Sequence, residues 1–212
     1  ICSGQGLADI FKDINVDRII EGGQTMNPSA QDIADAIIKI NAENIFVFPN
    51  NKNIILAAEQ SKSLVEGKKI YVVPTKNVPQ GIAAALAFDP EISADENFIK
   101  MIHESDRITA GQVTYAVRNA KVDGFSLTKG DIIGLDNKKV LAKGNDIATV
   151  TVHLIEKMRE HGHSLINLYY GSDVSEEEAN ALQAAVQEKY PDLDVELFNG
   201  GQAIYYYIVS LE

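Results

Sequence analysis

Three short stretches of this 212-residue chain gather side chains able to hold a small anion. Residues 22–29 supply Gln24, Thr25, Asn27 and Ser29, residues 49–53 supply Asn51, Lys52 and Asn53, and residues 74–81 supply Thr75 and Lys76. Amides and hydroxyls hydrogen-bond a carboxylate or phosphate, and the two lysines add positive charge. The same residue types also start helices. Ser29 with Asp32 fits a capping box, and Pro28 suits a helix entry. A ligand-binding surface and a set of turns and caps are therefore both open readings of these loops.

Other reactive groups are sparse. No G-x-x-x-x-G-K-[ST] phosphate loop is present, and Gly4-Gln5-Gly6 lacks the third glycine of a dinucleotide fingerprint. Cys2 has no histidine near it in sequence. His161-Gly162-His163 offers two metal ligands, but only His103 and His153 remain, without a cysteine pair to complete a site. Gly162 reads instead as the C-cap of a helix whose dipole the histidines complement. No catalytic residue and no metal ligand is assigned.

The elements that must position the loops follow from periodicity. Apolar residues at Ile33, Ala34, Ile37 and Ile38 have helical spacing, whereas Ile45-Phe46-Val47-Phe48, ended by Pro49, is a continuous strand-forming run. Residues 8–14, 54–64 and 82–88 read as further helices, and 18–20 and 70–73 as strands. Such alternation predicts βαβ units with a parallel sheet, buried on both faces and carrying ligands at its carboxyl edge. After a helix over 94–104 the pattern changes. Strands at 111–117 and 124–127, then hairpin-like runs with turns at 129–131 and 136–137, precede helices over 147–160 and 176–190 and strands at 165–170, 195–198 and 204–209. The expectation is a parallel α/β lobe over 1–100, then an α+β lobe over 101–212 with helices on one side of a mixed sheet.

Charge narrows the function classes. Thirty acids against nineteen bases give −11, which opposes nucleic-acid binding, and no apolar run is long enough to span a membrane. A single cysteine suits a reducing compartment, so a cytoplasmic location is expected. The excess is concentrated. Residues 173–212 hold nine acids (Asp173, Glu176, Glu177, Glu178, Glu188, Asp192, Asp194, Glu196 and Glu212) and one base, Lys189. That accounts for −8; the other 172 residues contribute −3. Ser175 with Glu178 forms a further capping box, and acids at a helix start complement its dipole, but caps explain only part of the cluster. The first eight of these acids form the candidate partner-binding surface, electrostatically suited to a basic partner.

The run Val16-Asp17-Arg18-Ile19-Ile20-Glu21-Gly22-Gly23-Gln24-Thr25-Met26-Asn27-Pro28-Ser29, with Pro49-Asn50-Asn51-Lys52-Asn53-Ile54 and Val73-Pro74-Thr75-Lys76-Asn77-Val78-Pro79-Gln80-Gly81, resembles a known family. It is similar to the carboxy-terminal region of the DhaL/DAK2-type kinase subunit of bacterial fatty acid kinase, across the whole chain. The resemblance implies a DegV-like two-lobe layout and a piece of a longer protein, consistent with Ile at position 1. It implies that ATP and magnesium belong to an amino-terminal domain outside this stretch, with no cofactor within it. It also implies phosphorylation of a fatty acid carried by a separate DegV-type subunit, the acyl phosphate feeding phospholipid synthesis. DegV-like carriers hold the carboxylate with Ser/Thr-rich loops and a histidine; here 49–53 has no hydroxyl and 199–203 no histidine. The expected role is a non-catalytic docking domain that binds the lipid-carrying subunit through its acidic surface. The alternative is a lobe that binds or senses a fatty acid or phosphate at the three loops.

Overall fold

The computed structural model describes residues 1–23, 26–136 and 139–212 and divides into two compact units, Ile1–Ile108 and Thr109–Glu212. Unit 1 contains α1 (Gln5–Asp13), α2 (Ala30–Ile38), β1 (Asn44–Val47), α3 (Ile55–Ser61) with a 3-10 turn (Lys62–Leu64), β2 (Lys69–Val72), α4 (Val78–Leu86) and α5 (Ala94–Asp106). β1 and β2 pair in parallel from Asn44–Lys69 to Val47–Val72. Alternation along β1 sends Ile45 and Val47 into a core with Ile33, Ala34 and Ile37 of α2 and Ala58 of α3. Phe46 and Phe48 pack on the other face with Ala84 of α4 and Met101 of α5. A parallel sheet covered by helices on both sides explains the unbroken apolar runs. The predicted strand at 18–20 is not one; only Glu21 pairs, in an isolated parallel bridge to Cys2.

Unit 2 contains β3 (Thr109–Tyr115), β4 (Ala120–Val122), β5 (Phe125–Leu127), β6 (Ile132–Asp136), β7 (Val140–Gly144), α6 (Ile147–Met158), β8 (Leu165–Tyr170), α7 (Glu176–Lys189), β9 (Asp194–Asn199) and β10 (Tyr207–Leu211). Its main sheet runs β7-β6-β3-β10-β8-β9; β8 and β9 are parallel and the other pairs antiparallel. Val150, Leu154 and Ile155 of α6 and Ala179, Leu182 and Val186 of α7 share one core, so both helices cover the same face. The expected mixed sheet with one-sided helices is observed. The last strand begins at Tyr207 rather than 204, because Ile204 has φ 73, a left-handed conformation that ends extended pairing. Gly162 lies beyond the end of α6 and is not its cap; the Glu160 N–H donates instead to His163 Nδ1 at 3.1 Å. The turn predicted at 136–137 ends on Asn137, which lies outside the described residues.

Among the described residues, three helices carry complete capping boxes: Ser29 with Asp32, Ser93 with Glu96 and Ser175 with Glu178. In each, hydrogen bonds from the serine hydroxyl and backbone N–H hold the carboxyl below its ordinary pKa. A carboxylate with a depressed folded-state pKa stabilises the fold above its unfolded value, and that contribution vanishes as pH falls through the folded one. Thermal midpoints are therefore expected to drop as pH is lowered from about 5 to about 3. The triple variant Glu178→Gln, Glu96→Gln, Asp32→Asn should show a shallower pH dependence in circular-dichroism melts. An equally steep profile would exclude the boxes as its source.

Candidate functional site

The carboxyl ends of β1 and β2 in unit 1 lead into two of the three loops singled out by composition. Asn50, at φ 56, donates its backbone N–H to Thr75 Oγ1 at 3.1 Å, and the Thr75 hydroxyl donates to Asn50 Oδ1 at 2.8 Å. The Asn50 amide also donates to the Ile1 carbonyl at 2.9 Å. Asn77 caps α4, its Oδ1 accepting from the Gln80 N–H at 3.0 Å, while Gln80 Oε1 accepts from the Lys76 N–H at 2.8 Å. Gly81 makes this layout possible: a Cβ there would lie 2.0 Å from Asn50 Oδ1. Asn50, Thr75, Asn77 and Gln80 are all buried, and Asn77 Nδ2 has no hydrogen-bond partner among the described residues. A buried polar network thus ends in one unused donor at the positive end of a nine-residue helix.

Several predicted ligand-loop residues are occupied structurally. Ser29 is a cap, Thr75 braces Asn50, and Asn51 donates to the Gly23 carbonyl while its Oδ1 accepts from the Asn53 N–H at 2.9 Å. The side chains of Asn27, Lys52, Asn53 and Lys76 are exposed. Gln24 and Thr25 lie outside the described residues. The residues that build the network, Asn50, Asn77 and Gln80, were not singled out beforehand. Asn77-Val78-Pro79-Gln80 carries a helix-start signal, but nothing local pairs Asn50 with Thr75, 25 positions away.

The acidic residues of unit 2 fall into separate groups. Asp173, Glu176, Glu177 and Glu178 surround the start of α7, where Glu178 closes the capping box. Glu177 and Glu188 are eleven residues apart, three helical turns, and so lie on one face of α7 about 16 Å from each other. Asp194 and Glu196 alternate along β9 with Val195 and Leu197, which pack into the helix-side core; the two carboxylates therefore project from the opposite face of the sheet. Asp192 is paired, accepting from Arg159 Nη2 at 2.7 Å. All eight are exposed, but the fold does not bring them into one patch. Lys189 reaches Glu156 at 3.4 Å, which leaves the outward side of α7 strongly negative. Among the described residues no group of three or more His, Cys, Asp or Glu side chains is arranged to hold a metal, and no helix is long and apolar enough to cross a membrane.

Comparison with known proteins agrees with this layout. The family model for the FakA-like C-terminal region of fatty acid kinase matches residues 1–212. Protein YloV of Bacillus subtilis is 42% identical over the whole chain, and an uncharacterised Staphylococcus aureus protein is 36% identical; the chain spans 38% of the length of each. A DegV family protein from Corynebacterium glutamicum superposes with a TM-score of 0.69 at 11% identity, covering 99% of this chain and 95% of that one. The Streptococcus pneumoniae fatty acid kinase B3 protein, loaded with linoleic acid, gives 0.63 at 16% identity, covering 87% and 76%. At these identities the likeness establishes a DegV-like fold. A match to the family model along its full length makes this chain a member of the FakA-like C-terminal family of fatty acid kinase.

Proposed function

We propose that this chain is a non-catalytic docking domain of a fatty acid kinase. In this reading it recruits a DegV-type subunit carrying the fatty acid, and an ATP- and magnesium-binding domain elsewhere in the longer protein phosphorylates that acid in the cytoplasm. The observation carrying the proposal is the outward side of α7 and its approach, where Asp173, Glu176, Glu177 and Glu188 stand exposed with no ion pair among the described residues. Concentrated carboxylates accelerate encounter with a basic surface and orient it. The opposite-face acids Asp194 and Glu196 cannot contact a partner seated on α7, so they serve as internal controls.

Binding of the lipid-carrying subunit, measured by calorimetry, should weaken by about tenfold or more in the triple variant Glu176→Lys, Glu177→Lys, Glu188→Lys. It should weaken for the native chain too as salt approaches 1 M, where screening acts within about 3 Å. Asp194→Lys with Glu196→Lys should leave it near native. Equal affinity in all variants would defeat the docking reading.

A second reading is favoured by one observation, the unpartnered Asn77 Nδ2 at the start of α4. A fatty acid carboxylate or phosphate there would accept from that amide and benefit from the helix dipole. Thermal stabilisation by fatty acid or acyl phosphate, abolished in Asn77→Ser, would support it; no stabilisation at millimolar ligand would dismiss it.

A further inference from the structure

The main sheet of unit 2 ends on β9, which has β8 as its one neighbour among the described residues. The direction of its backbone groups is fixed by the Asp194 N–H, which donates to the Ser164 carbonyl at 3.0 Å. These groups alternate sides along a strand, so those of Asp194, Glu196 and Phe198 address β8. Those of Val195, Leu197 and Asn199, and of Leu193 just before the strand, turn outward, where a further strand would pair. Two glutamines one turn apart on α7 occupy part of that edge. Gln183 Nε2 donates to the Val195 carbonyl at 2.8 Å, and Gln187 Nε2 to the Leu193 carbonyl at 2.9 Å. The Val195 N–H and both backbone groups of Leu197 have no partner among the described residues.

An edge with free donors and acceptors is a template for another strand. The strand at hand in solution is the same one on a second copy, and a two-fold axis makes such a pair antiparallel. Residues directly opposite then share a face, and like charges there repel. Asp194 and Glu196 are exposed on the face away from α7. If Val195 met Leu193 of the second copy, Asp194 would stand opposite itself. If Val195 met its own copy, Asp194 would stand opposite Glu196 twice. If Val195 met Leu197, Glu196 would stand opposite itself. The carboxylates oppose all three registers.

We infer that the outer edge of β9 is a pairing surface for β9 of a second copy, held closed by the Gln183 side chain in the one register that the carboxylates leave open. In that register Leu197 faces Leu197, Val195 faces Asn199, and Phe198 faces Glu196, so no like charges meet. It requires the Val195 carbonyl to accept from the second copy's Asn199 N–H, and Gln183 already donates to that carbonyl. A further shift leaves only Leu197 and Asn199 outward in the ladder, too short a pair to hold. Charge and glutamine thus close complementary registers. Gln187 extends the same cover past the start of the strand. The inference goes beyond the docking reading, because it concerns copies of this chain alone.

The test replaces Gln183 with methionine, which keeps the side-chain length and removes the donor. Sedimentation velocity is run at about 0.5 M salt, which screens the long-range repulsion between two acidic units. Gln183→Met should self-associate at least about tenfold more tightly than the native chain, since two carbonyls per pair become free to accept. Gln183→Ala should do the same, so the readout does not rest on one replacement. By NMR hydrogen exchange, the Val195 and Leu197 amides should slow by about tenfold or more as the concentration of either variant rises. Asp194→Asn with Glu196→Gln, keeping Gln183, should sediment as the native chain does. The inference is overturned if both Gln183 variants, with native circular dichroism, sediment like the native chain, or if they associate while those two amides exchange unchanged. Association on neutralising the two carboxylates alone would overturn it as well. No lipid-carrying subunit enters the experiment, so its outcome is separate from that of the docking measurement.

Discussion

Gly171→Ala should lower the thermal midpoint of this chain by roughly 10 °C, a larger effect than its single added methyl suggests. Gly171 is buried just beyond β8, and a Cβ there would lie 2.2 Å from the Tyr205 carbonyl oxygen and 2.5 Å from that of Gln202. Both obstacles are backbone, so no side-chain rotation relieves the clash. The turn over 200–206 must move, and several contacts depend on it. Gly171 donates its N–H to the Tyr206 carbonyl at 2.9 Å, and Ser172 donates to that of Gln202 at 3.0 Å. Gln202 Nε2 donates to the Tyr169 carbonyl at 2.8 Å, and the Thr114 hydroxyl to that of Ile204 at 2.8 Å. Ile204 is itself held in a left-handed conformation that costs a β-branched residue roughly 1–3 kcal/mol, sustained only while its surroundings are intact. Losing two or three such buried bonds costs about 3 kcal/mol. Urea denaturation checks it, and a loss below about 1 kcal/mol would show that the turn relocates freely.

The second large effect concerns the buried network of unit 1. Thr75→Val keeps the side-chain shape but removes the hydroxyl that satisfies both the Asn50 N–H and its Oδ1. Two buried polar atoms are left without partners, at about 1–3 kcal/mol each, so a loss of roughly 3 kcal/mol is expected. Gly81→Ala tests the same contact from the helix. Inside a helix this change normally stabilises by about 1 kcal/mol. Here the new Cβ would meet Asn50 Oδ1 at 2.0 Å, and Asn50 cannot yield without breaking its bond to Thr75, so the sign should reverse to a loss of roughly 2 kcal/mol. In the double variant the costs should fall well short of additive, since both act through Asn50. Additivity would mean that Gly81 and Thr75 support the loop separately.

The covered face of α2, the parallel run of β1, the capping boxes at Ser29 and Ser175 and the excess of acid after residue 172 are all legible along the chain, whereas the box at Ser93 emerges only with the structure. Each of the legible features depends on residues within a few positions of one another: a serine and an acid three apart, apolar residues at helical spacing, a β-branched run ended by proline. What the acids do with their charge is different in kind. Glu177 and Glu188 share a helix face by periodicity, but the separation of Asp194 and Glu196 onto the other side of the sheet depends on which face of β9 meets the helix-side core. The pairing of Asn50 with Thr75 and the seating of Gly171 against the 200–206 turn are likewise tertiary. They join positions 25 to 35 residues apart whose types are equally at home in ordinary turns, and only packing decides which buried donor meets which acceptor.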